Sequence, residues 1–182
     1  MKSVICNFCS VTLLSIVSAI ALAPQPTLAN GQKVEIIPNT QKTRISQLTN
    51  PVSFESELLR LTNLERRKVG LPALRLSSQL GKAAQLHAVD MANNNYFSHT
   101  GRNGSTVGDR TKSSGYKFRA VGENLAAGKA TPEGTILQWM NSSGHRANIL
   151  NSQFTEIGFG YANAPSSRYR HYWVQVFGKP QQ

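Results

Sequence analysis

The chain has 182 residues, 20 Lys and Arg against nine Asp and Glu, a formal charge of +11 and only two cysteines. That length suits one domain with processing segments rather than several domains. Cys6 and Cys9 both fall in the N-terminal apolar segment, which excludes a disulfide framework for the rest of the chain.

Residues 1–29 read as a secretory signal peptide. Lys2 supplies a short basic start, and an apolar run extends from about Val11 to Ala23. The run is shorter than a membrane span needs, so cleavage is expected in place of anchoring. Ala29 is the expected last residue removed. Ala21-Leu22-Ala23 is a second candidate site, disfavoured by the following Pro24. An uncleaved anchor is the competing reading. No cysteine follows the run at a lipidation position, so a soluble exported product is expected, extracellular or periplasmic. Cleavage removes only Lys2 among the cations and no acid, leaving the product strongly basic. Such a cation associates with anionic glycans, lipid headgroups or wall polymers. Export argues against a nucleic-acid partner. The basic residues, among them Arg60, Arg66, Arg67, Lys112, Arg119 and Arg168, are scattered and read as a solvated surface.

Residues 30–50 are polar and read as a linker, with a short extended piece at Val34–Ile37. The domain is expected over residues 51–180. Asn50 and Pro51 suggest a cap and first position for a helix carrying Phe54, Leu58, Leu61 and Leu64, ended by Gly70 and Pro72. A second helix should start after Ser77 or Ser78, with Leu80, Ala83, Ala84, Ala88 and Met91 on one face. Asn93-Asn94-Asn95 stops it. Thr106 to Ser114 reads as a short helix closed by Gly115.

The period then changes. Ala120 to Ala126 alternates, placing Val121, Glu123 and Leu125 on one face. Thr131-Pro132-Glu133 opens a helix with Ile136, Trp139 and Met140 as its buried stripe. A further short helix starts near Gly144. Ile157–Ala162 and Tyr169–Phe177 read as strands joined by a polar loop containing Pro165. Helices come first and strands mostly later, which predicts the α+β class, a small sheet packed by helices.

Three residues draw attention as chemistry. His99 lies past a helix end, after aromatic residues and before a Gly-rich loop. Glu123 on the inward face of a strand needs a partner, because an unpaired buried carboxylate is costly. That partner is a lysine, an arginine or backbone amides on one reading, a histidine or a metal on the other. His145, in the first turn of a helix, should be held neutral by the positive helix end, the form that binds a metal or accepts a proton. Two histidines and a carboxylate suit an open Zn site, but their wide separation leaves convergence undetermined by spacing. His87 reads as a core histidine, and Asp90 with Arg110 as a structural ion pair. The chain has no HExxH, GxSxG, P-loop or CxxC. Ser142 or Ser143 beside His145 suggests a serine hydrolase, but no acidic residue that would orient it is visible.

From about Leu58 to Phe177 the chain resembles the CAP/SCP superfamily: cysteine-rich secretory proteins, antigen 5 and pathogenesis-related proteins. It is closest in style to the bacterial disulfide-free type. The matching stretches are Asn63-Leu64-Glu65-Arg66, Phe97-Ser98-His99, Gly122-Glu123-Asn124-Leu125-Ala126, Trp139 to Arg146, Ile157-Gly158-Phe159-Gly160-Tyr161 and Tyr172 to Phe177. The resemblance implies an α-β-α sandwich with a small, mainly antiparallel central sheet and a cleft lined by two histidines and two glutamates. The histidines can hold a divalent metal, often zinc. His99, Glu123 and His145 match three of the four positions, and Ser142 stands where the second glutamate is expected. The expected metal ligands are therefore His99, His145 and Glu123, with weak Zn binding, and Glu123 is the candidate catalytic group. The expected function is a secreted binding module for an anionic or amphipathic ligand, a cell-wall glycan or a lipid, rather than an enzyme. Contact with a membrane surface would be peripheral. The alternative is a metal-dependent hydrolase acting on cell-wall, peptide or ester substrates.

Overall fold

The computed structural model describes residues 53–181. The expected signal peptide, the linker and the extended piece at Val34–Ile37 lie outside them. Helix α1 spans Phe54–Lys68 and is capped by Ser53, whose Oγ accepts from Ser56 N at 3.2 Å. The cap expected at Asn50 therefore sits three residues too early: a serine followed by Glu55 and Glu57 in the first turn supplies both the side-chain cap and the favourable charge. Strand β1 is Arg75–Leu76, α2 is Ser78–Asn93 and α3 is Val107–Ser113. Strand β2 is Phe118–Ala127, α4 is Pro132–Met140 and α5 is Ser143–Ile149. Strands β3, Glu156–Ala164, and β4, Arg170–Pro180, complete the domain.

The remaining caps lie where the residues point. Ser77 Oγ accepts from Leu80 N, Thr106 forms a reciprocal box with Asp109, and Thr131 precedes Pro132 at the first turn of α4. Gly115, at φ 87°, closes α3 in the left-handed region that only glycine enters freely.

The sheet order is β1-β3-β4-β2; β1 pairs with β3 in parallel and the other two pairings are antiparallel. Alternation along β4 divides the core. Trp173 and Phe177 face a layer of Leu58, Ile136, Trp139 and Ile149 from α1, α4 and α5. Tyr172, Val174 and Val176 face Leu80, Ala84, Ala88 and Met91 of α2. The domain is an α-β-α sandwich of the α+β class. Gly158 and Gly160 of β3 let α2 approach, since a Cβ on either would run into the backbone of Gly81 or Ala84.

Two expectations change. Arg66 is not a solvated cation: it is 1 % exposed, and its guanidinium donates to the carbonyls of Pro72, Ile149 and Asn151 at 2.8–2.9 Å. Beside it Asn63 clamps both backbone groups of Leu74. The Asn63-Leu64-Glu65-Arg66 stretch thus ties α1 to the loops around it. Nor do Asp90 and Arg110 pair. The Asp90 carboxylate accepts from Tyr96 and Asn94, and Arg110 is drawn to Glu123.

Candidate functional site

β2 is an edge strand, and its open side is covered by α5. Asn148 Nδ2 donates to Glu123 O at 3.2 Å, and Asn124 Nδ2 donates to His145 O at 3.0 Å. Such cover removes the pairing hazard of a bare edge. Gly122 leaves room for the Phe154 ring of the loop after α5, which a Cβ there would meet at 2.9 Å. Asn124 turns to the other face, bonding Gln175, which in turn donates to Thr62 of α1. Each residue of Gly122-Glu123-Asn124 thus has a separate task fixed by alternation.

Glu123 points toward the α2–α3 layer, on the face shared with Leu125. Its side chain is 2 % exposed and both oxygens are engaged. Oε1 lies 2.8 Å from His99 Nδ1, and Oε2 accepts from Arg110 at 2.8 Å. Both of the partner types open at the sequence level, an arginine and a histidine, are therefore present. An ionised carboxylate only accepts, so the neutral tautomer of His99 that fits this contact carries its proton on Nδ1 and its lone pair on Nε2. The His99 side chain is 60 % exposed, which leaves that nitrogen to solvent and ligands. Arg110 also donates to His99 O at 3.0 Å and Ser105 O at 2.8 Å, fixing the loop that carries the imidazole.

His145 stands in the first turn of α5, anchored through its carbonyl to the residue after Glu123. Burial pushes its imidazole below the ordinary histidine range, and the nearby charge of His99 adds to this. The neutral form is as expected, but desolvation is the larger cause and the helix end was the cause anticipated. Its Nδ1 is buried and has no hydrogen-bond partner. Ser142 is the N-cap of α5 without a side-chain cap bond. His87 is a core histidine as expected, 1 % exposed with Nε2 at 2.9 Å from Ser98 O.

The donor set bears on a metal. Each Glu123 oxygen already has one partner, His99 or Arg110, and among the described residues no group of three or more His, Cys, Asp or Glu is disposed to hold an ion. The nitrogen donors nearby are the imidazoles of His99 and His145, near enough for the charge of one to act on the other. Arg110, read from the sequence as a partner of Asp90, is the Glu123 partner that the sequence did not reveal. Its only signal in the sequence was a cation on the helix after the His99 loop.

The model of the cysteine-rich secretory protein family matches residues 59–177. The chain is 38 % identical to Bacillus subtilis YkwD over 157 residues, covering 86 % of this chain and 58 % of that protein. A crystal structure of an extracellular SCP-domain protein from Bacillus anthracis superposes with a TM-score of 0.63 at 33 % identity, covering 81 % of this chain and 45 % of that one. An outer surface protein of Borrelia burgdorferi shares the fold, with a TM-score of 0.60 at 24 % identity over 80 % of this chain and 97 % of that one. The chain thus spans less than two thirds of YkwD and of the B. anthracis protein. Among the described residues no helix is long and apolar enough to cross a membrane. The chain belongs to the cysteine-rich secretory protein, or CAP/SCP, family, and its described residues include no cysteine.

Proposed function

We propose that this is a secreted binding module whose cationic surface holds it to an anionic or amphipathic cell-surface ligand, a wall glycan or a lipid surface. The observation that carries the reading is the distribution of charge. Glu57, Glu65, Glu123 and Glu156 are each paired with Arg60, Lys68, Arg110 and Arg75, while Arg67, Lys82, Lys112, Lys117, Arg119 and Lys129 have no acidic partner among the described residues. Unpaired surface cations attract polyanions, and salt screens that attraction. The extracellular description of the B. anthracis relative agrees with export. The test is retention of the protein on purified cell wall and on anionic vesicles. Retention at low salt that falls steeply with added salt is expected; passage through both at low salt overturns the reading.

We also propose a weak divalent-metal site built on His99 and His145. Glu123 then serves as the carboxylate that fixes the His99 tautomer, an arrangement common behind metal-bound histidines. A Zn²⁺ bound there would lower the pKa of a coordinated water. With two imidazoles and no free carboxylate the affinity is modest, and folding does not depend on metal. Calorimetric titration of Zn²⁺ should show binding that weakens as pH falls through about 6.5. His99→Ala and His145→Ala should abolish it, and Glu123→Gln should weaken it about tenfold or more. Parent-like binding by both histidine variants removes the metal from the site.

A second reading, a hydrolase of wall, peptide or ester bonds, is favoured by one feature: the carboxylate-oriented His99 with Nε2 exposed is the geometry of a general base. Ser142 in place of a second carboxylate leaves no acid partner for it. Turnover of such substrates that drops in Glu123→Gln would support this reading, and no turnover by the parent would end it.

A further inference from the structure

A cavity of about 360 Å³ lies between α2, α3 and the loop at 101–105. It meets the candidate site at one residue. Arg110 lines the cavity, while its guanidinium reaches Glu123 and the carbonyls of His99 and Ser105. The wall is mixed in a particular way. Leu86 of α2 is 60 % exposed there, with Ala83 nearly one turn before it. Arg102, with no acidic partner among the described residues, and Asn103 stand on the loop. Asp109 spends only Oδ2 on its capping box with Thr106, leaving Oδ1 available. His87 also lines the cavity, is 1 % exposed, and has an Nδ1 without a hydrogen-bond partner.

Two features of this wall select a ligand. Arg102 and Arg110 are balanced by Asp90 and Asp109, so the cavity has no net charge to recruit an anion, unlike the rest of the surface. Leu86 and Ala83 are the apolar side chains of its lining, and they offer a face for one small ring. Donors and acceptors surround that apolar patch. A pyranose has the matching chemistry: hydroxyls around its edge and an apolar C–H face. The volume is in the range of small-molecule sites. We infer that this cavity binds an uncharged sugar unit of a surface glycan. The inference rests on the binding-module reading above and narrows its ligand from glycan or lipid to glycan.

The probe is the uncharged β-1,4-linked trisaccharide of N-acetylglucosamine, titrated into the full chain and followed by amide NMR at low and high salt. Shift changes should centre on Leu86, Arg102, Asn103 and Ser113, with an affinity that salt leaves unchanged, because no charge is neutralised. Leu86→Ser and Arg102→Gln alter exposed side chains, so the spectra should remain folded while affinity falls about fivefold or more, the size of a lost apolar contact or hydrogen bond. Leu137→Ser, at an equally exposed leucine of α4 outside the cavity, should bind the trisaccharide as the parent does. Absence of binding, shifts confined to other regions, or parent-like affinity in both variants overturns the inference. Displacement of the trisaccharide by phospholipid vesicles overturns it in favour of a lipid headgroup. Failure of the cationic-surface reading leaves a different trace: retention on wall material is missing at low salt while the trisaccharide still binds.

Discussion

Two histidines set how the domain answers acid. Burial holds His87 below the ordinary histidine range, the charge of Glu123 opposing only part of that effect, and burial with the charge of His99 does the same to His145. Both are neutral in the folded state, whereas the unfolded chain takes up a proton near about pH 6.5. Below that pH the unfolded state binds more protons, so stability falls as pH drops from about 6.5 toward the lowered native values and is level above that window. Melting temperature should therefore be flat above about pH 7 and decline between about 6.5 and 5, before the carboxylates titrate. The double variant His87→Gln/His145→Gln should lose most of that decline; an unchanged slope would assign it elsewhere. How these residues could be foreseen differs. Strand alternation alone placed Glu123 inward, and cost alone demanded a partner for it. Nothing local identified Arg110, thirteen positions away on another element, because a contact made by folding leaves no spacing in the sequence.

Elements declared themselves where a cap or a period was present. Ser77, Thr106 and Thr131 each head the helix their chemistry announced. β1 escaped notice because two residues carry no period, and it is a strand only through its parallel pairing with β3. Arg66 escaped because a cation that satisfies itself on backbone carbonyls looks like any surface arginine until the loops close around it. Gly158 and Gly160 were part of a family motif without a reason, and the reason is the helix behind them. The backbone of α2 lies where their Cβ atoms would be, so neither neighbour can yield by a rotamer change. Gly158→Ala must push α2 away from β3 and open the core beneath Leu80 and Ala84. A cost at or above about 3 kcal/mol, the upper range for overpacking, is expected in denaturant unfolding. Gly144→Ala, on an open surface with nothing near its Cβ, is the matched control and should cost under about 1 kcal/mol. Equal losses would mean that the close approach of helix and strand is not what these glycines serve.

The whole domain reaches stability in a family named for its cysteines without using any. Residues 53–181 contain no cysteine, so no cross-link reduces the entropy of the unfolded chain over that span. The compensation is visible in the two core layers: every helix contributes buried side chains, and large residues such as Trp139, Trp173, Tyr172 and Phe177 are sealed from solvent. Polar interior groups add long-range ties of their own. Arg66 spans from α1 to the carbonyls of residues 149 and 151, and the Thr62–Gln175–Asn124 chain joins α1 to two strands. Such ties act on the folded state, whereas a disulfide acts chiefly on the unfolded one, so they are indifferent to redox conditions. Thermal unfolding with and without excess dithiothreitol should give the same midpoint, and Cys6→Ser/Cys9→Ser should unfold as the parent does. Arg66→Ala, by contrast, leaves the buried Ile149 carbonyl and the part-buried Pro72 and Asn151 carbonyls without their donor and should lower the midpoint by several degrees for a domain of this size. A midpoint that falls with reductant would mean that the two cysteines support the fold, and that burial and polar ties are not sufficient to hold it.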